Sequence, residues 1–250
     1  MHCGISLGIN ANNLSNNNNG TASNVTFGLP GYLTRNNNGT IESTVSANDV
    51  LGFSVAKYQG NGSSTGATVG HGLDTPPEMI IVKDLDSTSD WAVYTSVTGN
   101  TKKLLLNSTN ISATSGVWNN TSPTLSVFTV RYSQTNEVNH DFIAYCFASK
   151  PGFSKVGSYT GNGGNNPVDV GFEPAFVMIK KSTTSNASWA MFDNKRTTAN
   201  PSTSALFANE SAMEDDQQLY FQFTSTGFKN LQSSNTLNTS GSIYIYLAFA

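Results

Sequence analysis

The chain repeats itself. Gly52-Phe53-Ser54 returns as Gly152-Phe153-Ser154, and Tyr58-Gln59-Gly60-Asn61-Gly62 as Tyr159-Thr160-Gly161-Asn162-Gly163. Val69-Gly70 returns as Val170-Gly171. Pro77 precedes Met79-Ile80-Ile81-Val82-Lys83, as Pro174 precedes Phe176-Val177-Met178-Ile179-Lys180. Trp91-Ala92-Val93-Tyr94 is matched by Trp189-Ala190-Met191-Phe192, and Leu106-Asn107 is echoed in Phe207-Ala208-Asn209. Phe142-Ile143-Ala144-Tyr145-Cys146-Phe147-Ala148 closes the first copy as Tyr244-Ile245-Tyr246-Leu247-Ala248-Phe249-Ala250 closes the second. Matches held in one order over this length mean a duplicated structural unit. Any fold for this chain must build the same unit twice, over 52–148 and 152–250.

Each matched block reads as a strand or a turn. Phe128, Val130 and Tyr132 alternate with Thr129 and Arg131, the period of a half-buried strand. The closing blocks put Ile143, Tyr145 and Phe147 on one face, and Ile245, Leu247 and Phe249 on its counterpart. The unbroken apolar runs after Pro77 and Pro174 predict strands covered on both sides. Gly60-Asn61-Gly62 and Gly161-Asn162-Gly163 supply residues that tolerate positive φ and read as turns. Apolar residues do not recur at helical spacing over any long window, and only Ser211–Gln218 suits a short helical piece. The expectation is an all-β protein: two tandem β-sandwich or jelly-roll-like units from an internal duplication.

The units are joined by Ser149-Lys150-Pro151 alone, residues 149–151. So short a linker predicts that the copies share an interface as one rigid dyad. Residues 1–51 differ in character. The tracts Asn16–Asn19 and Asn36–Asn38 read as a flexible or extended segment or an assembly arm. Alternatively, the segment orders against a neighbouring chain, with Val25, Phe27, Leu29, Tyr32 and Leu33 as anchors.

Composition removes several function classes. Charged residues are 12% of the 250, about half the usual share, and the formal net charge is −3. There is no run of Lys or Arg to neutralise a phosphate backbone, so nucleic-acid binding is not expected. No apolar stretch approaches the roughly 20 residues of a membrane span, so no membrane insertion is expected. The start, Met1-His2-Cys3-Gly4, lacks the pattern of a signal peptide. The two cysteines, Cys3 and Cys146, form no CxxC or Cys/His cluster, so no zinc site is expected. Cys146 alternates with Phe142 and Ala144 and reads as a small buried residue.

The candidates for chemistry are few. His140-Asp141 is a His/carboxylate neighbour pair, but its counterpart falls near Ser242, so it stands outside the repeated unit and reads as a strand-end feature. His71 is replaced by Phe172 in the second copy, which points to packing rather than proton transfer. Glu214-Asp215-Asp216 matches no EF-hand spacing and reads as a solvated turn, not a calcium site. Gly-Asn-Gly lacks the phosphate-loop pattern. No GxSxG motif surrounds a serine. No catalytic, cofactor-binding or metal residues are assigned. Trp91 and Trp189 occupy equivalent places in strand-like runs and read as core. Trp118, with Asn119 and Asn120, sits in a polar loop-like stretch and is the ligand-binding candidate, because aromatics beside polar groups suit recognition surfaces.

Gly39-Thr40-Ile41-Glu42-Ser43-Thr44-Val45-Ser46-Ala47-Asn48, followed by Gly52-Phe53-Ser54-Val55 and Tyr58-Gln59-Gly60-Asn61-Gly62, resembles a repeat module of phage tail-fibre and virion structural proteins, of the type met in marine and cyanobacterial phages. The similarity continues through Met79-Ile80-Ile81-Val82-Lys83, Asp90-Trp91-Ala92-Val93-Tyr94 and Trp118-Asn119-Asn120-Thr121-Ser122-Pro123 to Ile243-Tyr244-Ile245-Tyr246-Leu247-Ala248-Phe249-Ala250, about residues 39–250. Residues 1–38 do not match the module. The resemblance implies a non-enzymatic β module exposed on a virion, with no catalytic residues and no cofactor. It implies other virion proteins as partners, a homotrimer by analogy with fibres, and contact with a host-surface glycan through weak multivalent sites. The alternatives are a secreted carbohydrate-binding module, with Trp118 and loop asparagines on the sugar, and a glycan-degrading enzyme. The last needs two suitably spaced carboxylates, and the acidic residues do not recur at equivalent places in the copies.

Overall fold

The computed structural model describes residues 34–196, 199–202, 204–211, 214 and 220–250. The proposed anchors Val25 to Leu33, the tract Asn16–Asn19, Cys3 and most of Ser211–Gln218 lie outside them.

The first unit runs β1 (Thr34–Asn36), β2 (Ser43–Asn48), β3 (Phe53–Gln59), β4 (Ala67–Gly70), β5 (Met79–Asp84), β6 (Ala92–Thr95), β7 (Lys102–Leu105), β8 (Ala113–Thr114), β9 (Val127–Val130), α1 (Ser133–Asn136) and β10 (Asp141–Phe147). The second runs β11 (Ser154–Thr160), β12 (Asn166–Asp169), β13 (Phe176–Lys181), β14 (Ala190–Asp193), β15 (Leu206–Phe207), β16 (Phe221–Thr224), β17 (Gly227–Asn230) and β18 (Ile243–Phe249). Each unit is a sandwich of a large antiparallel sheet and a small one. The large sheets have the orders β1-β2-β3-β10-β5-β6-β7-β8 and β11-β18-β13-β14-β15. The small ones are β4-β9 and β12-β17-β16. The fold is all-β and sandwich-like, as the patterning predicts.

The duplication holds at the level of register. Cys146 faces Ile80 across β10 and β5 as Ala248 faces Val177 across β18 and β13. Phe142 faces Tyr58 as Tyr244 faces Tyr159. Period-two alternation then sorts the side chains into layers. Ile80, Val82, Phe142 and Ala144 turn toward the small sheet and pack with Val69, Phe128 and Val130. Val177, Ile179, Tyr244 and Tyr246 do the same against Val168 and Phe228. The opposite parity, Met79, Ile81 and Val93 from the first unit with Met178, Ile245 and Leu247 from the second, forms one shared core. The two sandwiches are therefore joined through their large sheets. This explains why the runs after Pro77 and Pro174 do not alternate: both faces of β5 and β13 are covered.

Hydrogen bonds cross the same junction. Trp189 Nε1 donates to Leu105 O at 2.9 Å. Lys180, fully buried, donates from Nζ to Thr109 O at 2.9 Å and Ser108 O at 3.2 Å as well as to Ala187 O. Burial with no carboxylate facing it pushes the Lys180 ammonium down to about 8.

The Asn-rich lead-in has a definite role at its end. β2 pairs onto β3 and β1 onto β2, so Thr34–Asn48 extends the first unit's large sheet upstream of Gly52. The tract Asn36–Asn38 closes β1 with a tight turn in which Asn38 N donates to Asn36 Oδ1 at 3.0 Å. The second unit has only the short linker before β11. That edge is closed locally: Lys150 N donates to Ser154 O, Val156 N to Ser149 Oγ and Asn166 Nδ2 to Thr160 O, each at 3.0 Å. Side-chain caps stand in for a missing neighbour strand.

Candidate functional site

The repeated Tyr-x-Gly-Asn-Gly motif builds one end of each sandwich. Tyr58 Oη donates to Thr135 O at 2.8 Å, and Tyr159 Oη to Leu237 O at 2.6 Å. Asn61 N donates to Asn136 Oδ1 at 2.9 Å while Asn136 Nδ2 returns a bond to Asn61 Oδ1 at 3.0 Å. The second unit repeats this clasp between Asn162 and Asn238, at 2.9 and 3.3 Å. The glycines follow from the same geometry. A Cβ on Gly60 would stand 2.0 Å from Glu137 O, and one on Gly161 would stand 2.2 Å from Thr239 O. Gly62 and Gly163 have φ of 65° and 77°, where L side chains are strained.

On this shared frame the first unit carries a distinct corner around α1. Thr135, fully buried, accepts at its hydroxyl from Arg131 N at 3.1 Å and fixes the turn. Tyr132, at its start, has φ 61° and ψ 165°, a conformation costly for a bulky residue, on the order of 1–3 kcal/mol. The residue is 52% exposed. The Arg131 guanidinium lies 4.6 Å from the ring centroid, and the ring edge occupies the space where a Gly116 Cβ would stand, 2.9 Å from it. Arg131 Nη1 is in turn held by Asn119 Oδ1 at 3.3 Å.

Two hollows adjoin this corner. One, of about 430 Å³, lies between the Asn61-Gly62 turn and α1, with Tyr132, Asn136 and Val138 on its walls. The other, of about 320 Å³, reaches Asp84, Ser87, Asp90 and His140. Ser133 and Glu137 line both. In the second hollow His140 Nδ1 is 3.0 Å from Asp84 Oδ2, which also accepts from Ser87 Oγ at 2.7 Å. Burial pushes the Asp84 carboxyl up. The hydrogen bonds from His140, Ser87 and Asp86 N outweigh it and leave Asp84 below its ordinary value. The same bond to Asp84 raises His140.

The second unit keeps the frame and changes the corner. Register places Lys181 where the first unit has Asp84. Gly161 N donates to Ser242 O as Gly60 N does to His140 O, so Ser242 stands for His140. Asn238 N bonds to Ser234 O as Asn136 N does to Tyr132 O, so Ser234 stands for Tyr132. Lys181 Nζ reaches Asn235 Oδ1 at 2.8 Å and Thr239 Oγ1 at 3.3 Å. Those two are the equivalents of Ser133 and Glu137, the residues shared by both hollows of the first unit.

The ligand candidates from the sequence are redistributed. Trp118 is 1% exposed and stacks edge-on against Tyr94 at 5.8 Å within the first unit's core. Its ring offers no face to a ligand, because it belongs to the buried cluster that holds Val69, Phe128 and Val130. Asn119 acts through Arg131, and Asn120 is exposed with φ 50°. His140 pairs with Asp84, while its chain neighbour Asp141 meets Lys57 at 2.7 Å. His71 is buried, with Nε2 3.1 Å from Thr124 O and Nδ1 accepting from Leu73 N, and burial lowers its pKa. Cys146 is a buried free thiol pushed up to about 12. Trp189 lies in the shared core, and Trp91 packs against it. Glu214 accepts from Arg196 at 2.9 Å, and Asp215 and Asp216 lie outside the described residues. Among the described residues no group of three or more His, Cys, Asp or Glu is placed to hold a metal ion, and no helix is long and apolar enough to cross a membrane.

The chain belongs to a family described as a domain of unknown function, DUF7483. The family model matches residues 2–250 and so spans both sandwiches. No curated protein and no solved structure matches the chain.

Proposed function

We propose that this protein is a non-enzymatic virion structural component, part of a tail fibre or surface decoration, that contacts the host surface. The observation that carries the reading is the fate of the repeated polar residues. Tyr58 and Tyr159, Asn61 and Asn162, Asn136 and Asn238 are bonded inside the frame. Asn107 Oδ1 accepts from Trp91 N at 3.1 Å as Asn209 Oδ1 does from Trp189 N at 2.7 Å. Lys83 and Lys180 each donate to backbone carbonyls. The motifs that resemble the phage module thus maintain shape, which suits a scaffold. A surface of low charge joined through a buried inter-unit core suits a rigid building element. By analogy with fibres, the assembly is a homotrimer alongside other virion proteins.

Mass spectrometry of purified particles is the test. The protein is expected among virion proteins, and its absence refutes the assignment. Analytical ultracentrifugation checks the trimer. A secreted carbohydrate-binding module is the second reading, favoured by the exposed, clamped Tyr132; recovery of the chain from cell supernatant with no particles present would select it.

A further inference from the structure

We propose that the α1 corner of the first unit is a saccharide-binding site for neutral or amino sugars, with Tyr132 as the stacking platform and Glu137 as the central hydrogen-bonding group. The inference deepens the host-contact reading by giving it a ligand class.

A tyrosine half open to solvent is held in a strained backbone state by Arg131, Gly116 and a buried threonine. Strain of this kind persists only where surrounding structure enforces it, and it clusters at ligand sites. Ser234, the second-unit equivalent, does not adopt a positive φ, so the shared frame does not require the strain. A rigid aromatic loses little freedom on binding, which favours recognition of a flat apolar face with polar edges.

The two hollows, of about 430 and 320 Å³, lie on either side of Ser133 and Glu137. Each is within the ordinary range for small-ligand sites of about 300–1,000 Å³, and two adjacent hollows suit a ligand of linked rings. Hydroxyls, amides and carboxylates line the walls, and no Lys or Arg is among them. Glu137 and Asp90 accept hydrogen bonds from sugar hydroxyls or an ammonium. The cations nearest the walls are already engaged, Arg131 on the Tyr132 ring, Lys83 by the Ser87 and Ser89 carbonyls and Lys103 by Gln134 Oε1, so the free charges facing the hollows are carboxylates, which disfavour an anionic sugar. His140 is turned by Asp84 so that its Nδ1 is engaged, which leaves Nε2 as its second polar atom.

Where the first unit has Asp84, Glu137 and an open corner, the second has Lys181 bonded to Asn235 and Thr239. A frame duplicated to its register, yet replaced at Tyr132, Asp84, Glu137 and His140 together, marks a specialised surface rather than a fold requirement.

The experiment is saturation-transfer difference NMR on the full chain with chitotriose, maltotriose, galactobiose and sialyllactose as probes, followed by titration of any binder. A neutral or amino-sugar probe is expected to bind, with affinity lowered at least tenfold in Tyr132→Gly and in Glu137→Gln. Sialyllactose is expected to bind no better than the neutral sugars. Tyr132→Gly tolerates the positive φ and Glu137→Gln preserves volume, so both are expected to keep the wild-type unfolding midpoint within a few degrees. Ser234→Ala in the second unit is expected to bind as wild type. No signal from any neutral or amino probe, preference for sialyllactose, or unchanged binding in both variants overturns the proposal. Because binding is read on the isolated protein, that failure is separate from absence of the protein from virions.

Discussion

The asparagine clasp makes a graded prediction, because the two copies invest in it unequally. Asn136 and Asn238 are both buried, and their clasp partners Asn61 and Asn162 are both exposed, so the difference lies in the number of bonds. In the first unit the Asn136 side chain exchanges two bonds with Asn61, and at about 1 kcal/mol net per bond Asn136→Ala costs about 1–2 kcal/mol. In the second unit the Asn238 side chain makes five. Its Oδ1 accepts from Asn162 N and Asn166 Nδ2, both at 2.9 Å, and its Nδ2 donates to Gly164 O at 2.6 Å and Gln232 O at 3.2 Å. With the return bond to Asn162 Oδ1 at 3.3 Å, Asn238→Ala removes five bonds where Asn136→Ala removes two, at about 3–4 kcal/mol. Equilibrium urea unfolding reads both. With a slope of about 2–3 kcal/mol per molar, the midpoint falls by roughly 0.5 M for the first variant and more than 1 M for the second. A cycle of Asn61→Ala with Asn136→Ala is expected to show coupling of at least about 0.5 kcal/mol. Equal shifts at the two sites, or Asn238→Leu at wild-type stability, would refute the view that the motif is held by these bonds.

Trp189→Ala empties part of the shared core and removes the bond to Leu105 O, so it is expected to cost about 3–5 kcal/mol and to split one calorimetric transition into two. Because Lys180 is depressed to about 8 from 10.5, the unfolded chain binds the extra proton between those values. Its contribution to stability therefore rises with pH across that window, by at most about 1.4 kcal/mol per pH unit. Wild type should gain on Lys180→Met from pH 8 to 10 in parallel denaturation curves; a flat difference contradicts it. His140 is raised by Asp84, so its stabilising effect is full below its ordinary value near 6.5 and is lost as pH climbs through the raised one. Imidazole NMR should place its midpoint above 6.5, and Asp84→Asn should bring it down; a midpoint unmoved by Asp84→Asn rejects the pairing.

The corner around α1 was hard to read along the chain because its parts are distant. Asp84 lies at the end of β5 and His140 at the start of β10, and only strand pairing joins them. The sequence offered His140-Asp141 instead, because neighbours in the chain are visible and neighbours across a sheet are not. Trp118 looked exposed for a similar reason. Its flanks are polar, but polarity of flanks does not fix which way a ring turns, and this one points into the core. A usable signal did exist. Aligning the copies shows Tyr132, Glu137 and His140 falling outside the repeat, and departure from a repeated frame is the more informative observation.

What the sequence by itself determined is the unit and its multiplicity: strands, turns, glycine positions and register follow from local pattern written twice. It also carried the double coverage of β5 and β13, since an unbroken apolar run demands a layer on each side. Only the tertiary structure decided what that second layer is. The large sheets of the two units cover one another, and β1 and β2 complete one sheet while side chains cap the other. It alone decided that one copy closes its corner with Lys181 and the other leaves it open beside Tyr132. The reason is physical: local pattern fixes which face of a strand is apolar, whereas the partner of that face is chosen by contacts between residues far apart in the chain.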